Sequence, residues 1–237
     1  MSRFRYVILP RLLLALSTLA LLAALFLLWV TLERPMPTIS LACRQAGPAN
    51  GFSNGEVIAS GPIQLNKAQP DDDAWAVLRS GDTYAVAELK RTAGLLWTVP
   101  YYELDVLSWM GEHTLYPWYV ANTSYSYIDD SKPYGAFPTI RSELIPLAVC
   151  TDTSVVRVEG EFLWLGDWED PQEALAERGV SISWSSAGNG VWVGAPVTSP
   201  TPPKPDGRGH SGILSIWCRG YDADGDLVCS YDPTEVE

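Results

Sequence analysis

The stretch LLLALSTLALLAALFLLWVTL, residues 12–32, decides how the rest of the chain is read. It carries no charged side chain, and Leu, Ala and Phe fill most of it. At 1.5 Å of rise per residue, about 20 apolar residues span a hydrocarbon core of roughly 30 Å. Arg3, Arg5 and Arg11 precede the run, and Glu33 and Arg34 close it. Short basic segments stay on the cytoplasmic side of a membrane. The expectation is therefore a cytoplasmic tail over 1–11, a single transmembrane anchor over 12–32, and everything beyond it outside the cell membrane. A cleaved signal peptide fits less well, because its apolar region spans about 7 to 15 residues and ends in a small-x-small site. Here the run ends Leu28-Trp29-Val30-Thr31-Leu32, with Trp29 suited to an interfacial position. Ser40-Leu41-Ala42-Cys43 has the outline of a lipoprotein cleavage box, but Glu33, Arg34, Pro35 and Pro37 separate it from the apolar run.

Charge narrows the partners. The chain has 16 Lys+Arg against 28 Asp+Glu, a net charge of −12, and three of its arginines precede the anchor. Nucleic acid is excluded as a partner, since phosphate binding needs a basic surface. All four cysteines, Cys43, Cys150, Cys218 and Cys229, follow the anchor. In an oxidising exterior that even count predicts two disulfides. Zinc is not supported, because there is no Cys-x-x-Cys pair and neither histidine has ligand spacing.

Beyond the anchor the pattern is β. Residues 33–56 hold Pro35, Pro37, Pro48, Gly47, Gly51 and Gly55 and read as a stalk and loop. Residues 57–237 read as an antiparallel β-rich domain with one or two short helices, with position 150 as a candidate division into two subdomains. Val57-Ile58-Ala59 and Ile63-Gln64-Leu65 read as strands around a Ser60-Gly61-Pro62 turn, and Asp71-Asp72-Asp73 as an acidic loop. Trp75 to Leu89 forms a hairpin about Ser80-Gly81, predicting Val77 opposite Tyr84 and Trp75 opposite Val86. Apolar residues on both its faces predict a covered hairpin. Leu104 to Met110 has room for at most one or two helical turns.

The region 100–140 is rich in rings: Tyr101, Tyr102, Trp109, Tyr116, Trp118, Tyr119, Tyr125, Tyr127, Tyr134 and Phe137. They serve either as a stacking surface or as core. Asn122-Thr123-Ser124 matches a glycosylation sequon. Val155 to Leu165 reads as a strand with Val156, Val158, Phe162 and Trp164 on one side. Asp170 as N-cap, Pro171, Glu173 and Gly179 mark a helix over 171–178. Val180, Ile182 and Trp184 alternate with serines, and Val191-Trp192-Val193 returns after a turn. The proline-rich stretch 195–209 reads as an exposed loop. A last hairpin, Ile213–Tyr221 with Asp226–Tyr231, predicts a four-residue loop closed by Tyr221 and Asp226. That register sets Cys218 opposite Cys229, which leaves Cys43 to pair with Cys150.

Candidate chemistry is sparse. Asp222-Ala223-Asp224-Gly225-Asp226 departs from a calcium loop, with Leu227 at the sixth and Pro233 at the twelfth position, and reads as an acidic turn. Asp167, Glu169 and Asp170 form a second acidic group. His113 and His210 are the only imidazoles, and no nucleophile elbow or phosphate-cradling glycine loop accompanies them. No residue is assigned as catalytic, cofactor-binding or metal-ligating. The expectation is a non-catalytic binding or accessory module tethered at the membrane, with a protein or a glycan as partner. The rivals are a tethered hydrolase using carboxylates around 167–170 or His113, and a structural subunit of an envelope complex.

Overall fold

A computed structural model describes residues 9–32, 34–65, 73–92, 94–100, 103–107, 113–127, 139–166, 168–200 and 213–234. Helix α1, Leu9–Thr31, carries one charged residue, Arg11, near its start and is otherwise almost wholly apolar. Its Arg11–Thr31 stretch has a mean hydropathy of 2.6 and buries none of its residues in the body, so it is long and apolar enough to cross a membrane.

The body is mainly β, and all of its strand pairs are antiparallel among the described residues. The first sheet contains β1 (Glu56–Pro62), β2 (Ala74–Ser80) and β3 (Thr83–Thr92). β4 (Leu96–Thr98) and β5 (Leu104–Leu107) share the far edge of β3. The middle sheet runs β10 (Trp184–Gly188), β11 (Val191–Gly194), β7 (Thr139–Cys150), with β12 (Val197–Pro200) on the same edge of β7 as β11 and β6 (Leu115–Tyr127) along its other edge. The third sheet runs β14 (Leu227–Tyr231), β13 (Ile213–Tyr221), β8 (Arg157–Leu165), β9 (Val180–Ile182).

Strand β7 shows how the sheets stack. Side chains alternate faces along a strand, and both faces of β7 are buried. Ile145, Leu147 and Val149 pack with Trp75, Val77, Tyr84 and Val86 of the first sheet. Leu144, Ala148 and Cys150 pack with Val158, Phe162, Ile216 and Cys218 of the third. Two short helices close the outsides. α2 (Ile39–Ala46) covers the first sheet through Ala42 and Cys43, over Ala76, Leu78, Ala85 and Leu89. α3 (Pro171–Arg178) sets Ala174 on Leu163 and Trp217 of the third. The order is helix, sheet, sheet, sheet, helix.

Several expectations hold. The 171–178 helix forms, with Asp170 accepting the Glu173 N–H at 2.9 Å. In the Trp75–Leu89 hairpin the faces are as expected, but the register differs by two: Val77 faces Val86, Trp75 faces Glu88, and Gly81-Asp82 make a two-residue loop. Gly81 has φ +61, the conformation such a loop requires.

Others are corrected. Residues 33–56 are not a stalk and loop: Thr38 caps α2, a tight turn over Gly47–Asn50 follows, and Cys43 is fully buried. That burial also removes Cys43 from any lipidation box. Val57 to Pro62 is one strand with a bulge, and Ile63 to Leu65 lies outside it, because Ile63 bonds to the Asp73 carbonyl rather than returning as a strand. Leu104 to Leu107 is a strand, not a helical turn, since β3 offers it an open edge. Val156 is exposed, outside the face it was assigned to. Trp184 leaves the strand begun by Val180 and enters the middle sheet as β10. Within 195–209, Val197–Pro200 is a strand on β7, and 201–209 lies outside the described residues. No division falls near 150, because β11 and β12 from beyond it pair with β7 from before it.

Leu147→Ala would open a cavity where β7 meets the first sheet. The expected loss is about 2–5 kcal/mol, read as a lower thermal midpoint of the full-length chain in detergent by near-UV circular dichroism.

Candidate functional site

The site is built where α1 meets the body. Arg34 adopts a left-handed conformation, φ 54, and its N–H donates to the Trp29 carbonyl at 2.9 Å, closing the helix. The Trp29 indole donates to the Pro35 carbonyl at 3.2 Å. Two residues on, Met36 makes a two-way bridge with Trp97 of β4, with N–H to O distances of 2.8 and 2.7 Å. Thr38 then caps α2, accepting the Leu41 N–H at 3.2 Å. Through these bonds the segment after α1 joins the first sheet at Met36.

A cavity of about 270 Å3 lies in the angle so formed. Val30 and Arg34 form one wall, Trp97, Thr98, Val99 and Pro100 a second, and α2 with its following turn the third. The space exists because Ala42, Ala46 and Ala49, spaced four and three apart along one face, carry only methyl groups. Asn50 donates its amide to the Ala46 carbonyl at 3.0 Å. The Gln45 amide and the Arg34 guanidinium have no partner among the described residues and border the same space. Arg91 lies over the Trp97 ring, its guanidinium carbon 5.4 Å from the centroid. The arrangement suits a ligand with an apolar part and an anionic or hydrogen-bonding head.

A second polar group sits between the first and middle sheets. Opposite β7, strand β6 bulges between Val120 and Thr123, turning Ala121 to φ 57. The Ala121 N–H, released from the ladder, donates to Glu88 of β3 at 2.6 Å. Burial pushes the Glu88 carboxyl above its ordinary value, and neighbouring Glu103, Asp105 and Asp73 push it further, against the Ala121 bond. Burial likewise raises the Asp105 carboxyl and, with both acids, the Tyr119 phenol. Glu88 thus satisfies a stray backbone donor, which is a structural task. Glu143, fully buried on the same side of β7, is likewise engaged.

Among the described residues, those singled out from sequence are not gathered into a catalytic group. Glu169 accepts the Gly166 N–H at 2.8 Å and pairs with Arg178 at 2.7 Å, and Asp170 is a cap. Asp222 accepts the Asp224 and Asp226 N–H groups at 3.0 and 2.9 Å, so the Asp222–Asp226 loop spends its leading carboxylate on its own turn. His113 packs edge-on against Tyr231, centroids 5.3 Å apart, and Tyr231 against Tyr116. Tyr116 is buried, so that part of the aromatic region is core, while Trp118 and Tyr119 are half-buried. Thr123 of the sequon lies in β6 opposite Glu143. Asp71, Asp72, Tyr101, Tyr102, Trp109, Tyr134, Phe137, Asp167 and His210 lie outside the described residues, as do the side chains of Asn122, Thr123, Ser124, Tyr125 and Tyr127. No group of three or more His, Cys, Asp or Glu suited to a metal occurs among the described residues.

The thiols depart furthest from expectation. No disulfide links any of the four in this structure. A bulge in β14 sets Tyr221 opposite Leu227 and Gly220 opposite Cys229, so Cys218 faces Tyr231 instead of Cys229. Cys43 and Cys150 lie in cores on opposite sides of the first sheet and cannot meet. Burial pushes the Cys43 and Cys150 thiols up to about 12 and raises Cys218 as well. A nucleophilic cysteine requires the reverse shift.

Arg34, Gln45 and Trp97 were missed from sequence. The alanine spacing over 42–49 was a usable signal, but the residue type carries no chemistry of its own. No family model, no curated protein and no solved structure matches the chain.

Glu88→Gln keeps an acceptor for Ala121 and removes the charge. Because the folded carboxyl titrates above its ordinary 4.5, wild-type stability is highest below that value and falls as pH rises through the folded one. The variant is expected to melt higher than wild type at pH 8 and equally at pH 4, checked by thermal scans at both.

Proposed function

We propose that the chain is a single-pass membrane protein whose body lies on the outer face and acts as a non-catalytic binding module. Its ligand site is the cavity between the anchor exit, α2 and β4, and its ligand is an amphiphile with an anionic head, of the outer-leaflet phospholipid class. The observation that supports this reading is the cavity's composition and place. One wall belongs to the last turn of the apolar helix, the others are mostly apolar with Thr98 and Asn50 among them, and two polar side chains without a partner among the described residues, Gln45 and Arg34, border it. A lipid glycerol-phosphate region lies at this depth when α1 spans the bilayer, with its acyl chains beside α1 and its phosphate within reach of a guanidinium. The cysteine and carboxylate chemistry supports a binding rather than a catalytic role, because the raised thiols and the committed carboxylates are all occupied in holding the fold.

Two measurements test this. Full-length protein should resist alkaline carbonate extraction from membranes, and protease added from outside should digest the body; a body protected from that protease overturns the orientation. In mixed micelles of phosphatidylglycerol and phosphatidylcholine, native mass spectrometry should show retained phosphatidylglycerol. Arg34→Gln should lower that retention about tenfold, the size of one charge-assisted hydrogen bond. Ala49→Leu, which fills the cavity, should lower retention of both lipids. Equal retention of the two lipids by wild type and both variants overturns the site.

A further inference from the structure

Three of the four cysteines, distant in sequence, converge at one end of the core between the middle and third sheets. Cys150 is the last residue of β7, Cys218 lies in β13 and Cys229 in β14. The Cys150 and Cys229 sulfurs are 4.0 Å apart, across 79 positions of chain. We infer that Cys150 and Cys229 are the protein's disulfide pair, joining the middle sheet to the edge strand of the third, and that Cys43 and Cys218 stay as thiols.

Geometry selects this pair over the alternatives. A disulfide needs sulfurs about 2.05 Å apart and Cβ atoms about 3.8 Å apart. Closing from 4.0 Å takes about 2 Å, within the sweep of a Cys side chain about χ1. Cys218 and Cys229 sit in the same hairpin, but Cys229 is opposite Gly220 and Cys218 is opposite Tyr231. They are therefore diagonal neighbours, whose spacing of about 7–8 Å is too long for a bridge. Gly220 is what frees Cys229: a Cβ there would stand 2.7 Å from the Cys229 sulfur. Cys218 is sealed from solvent, with its sulfur packed over Gly160, whereas Cys229 is partly exposed. Mechanical need points the same way. β14 is an edge strand held in its sheet by β13 alone, and the bridge would pin it to the central strand of the fold.

The oxidant is a small or protein disulfide of the compartment. The accessible Cys229 sulfur attacks it as the thiolate, forming a mixed disulfide and releasing one thiol. The Cys150 sulfur, deprotonated, then attacks Cys229 Sγ, forming the intramolecular bond and releasing the second thiol. Two electrons pass to the oxidant disulfide, and the two cysteine protons end on its released thiols. In the cell this rests on the proposed outside placement, where such oxidants persist.

The test uses full-length protein, reduced and then exposed to oxidised glutathione, with peptide mapping under non-reducing conditions. A linked Cys150–Cys229 peptide is expected, with Cys43 and Cys218 alkylated only after unfolding. Cys229→Ser should abolish the link and Cys218→Ser should preserve it. Reducing the bridge should lower the thermal midpoint by about 10 °C, given the long loop it closes. A Cys218–Cys229 link, a lasting glutathione adduct on Cys229, or four free thiols overturns the assignment. Mapping the protein after acid quenching from its native membrane separates the two claims. A bridge made in vitro but absent there refutes the outside placement and leaves the geometry standing.

Discussion

Burial of both faces of β7 is the constraint on which the other layers depend. A strand covered on one side tolerates polar residues on the other, but β7 has the first sheet against Ile145, Leu147 and Val149 and the third against Leu144, Ala148 and Cys150. Its alternation must therefore supply two cores at once. It also has both edges occupied, by β6 on one side and by β11 and β12 on the other. A slip of one residue would exchange the two cores and misplace every contact. The bulge in β6 adjusts for this rigid neighbour: β6 rather than β7 absorbs the irregularity, and Glu88 reaches across from the first sheet to bond the Ala121 amide so released.

The same layering explains how α1 is joined to the body. α2 covers the outer face of the first sheet, and the bridge between Met36 and Trp97 extends that sheet by one residue toward α1. Since only Leu32 to Pro35 separate the end of α1 from this bridge, the direction of the helix and the orientation of the body are coupled. The cavity at their junction follows from this coupling. Three alanines leave a gap between helix and strand that larger residues would have filled.

Sequence reasoning read periodicity well and register poorly. The apolar run over 12–32, the faces of the Trp75–Leu89 hairpin and the Asp170 cap were all legible, because each follows from residues within a few positions of one another. Register was not, because bulges leave no local mark. Moving the last hairpin by one bulge and one loop residue took Cys229 from Cys218 to Gly220 and undid both expected disulfides. Tertiary cover was equally hidden. Residues 39–46 look like part of a proline-bearing tether until the first sheet offers their alanine and cysteine face a place to pack. The candidate site depended on that hidden cover, for one of its walls comes from the segment read as stalk.

Electrostatics gives this rigid junction a reason. On the proposed membrane placement, a body with 28 acidic residues against 13 basic ones beyond Arg11 would, on a flexible stalk, be pushed from an anionic bilayer over about 8 Å, the screening length at physiological salt. The cations near α1 oppose that push where it is strongest. Arg34 lies at the helix exit, Arg44 in the last turn of α2, and Lys90 and Arg91 pair with Thr98 and Trp97 of β4. All four lie on the elements that wall the cavity or pair with them, while Asp105 lies further along the edge of β3, in β5 opposite Val86. The basic residues offset the repulsion only if they stay at the surface, which a swivelling domain would not ensure. On that proposed placement, the fixed bridge at Met36 and the basic residues on the segments joining α1 to the first sheet act as parts of one arrangement.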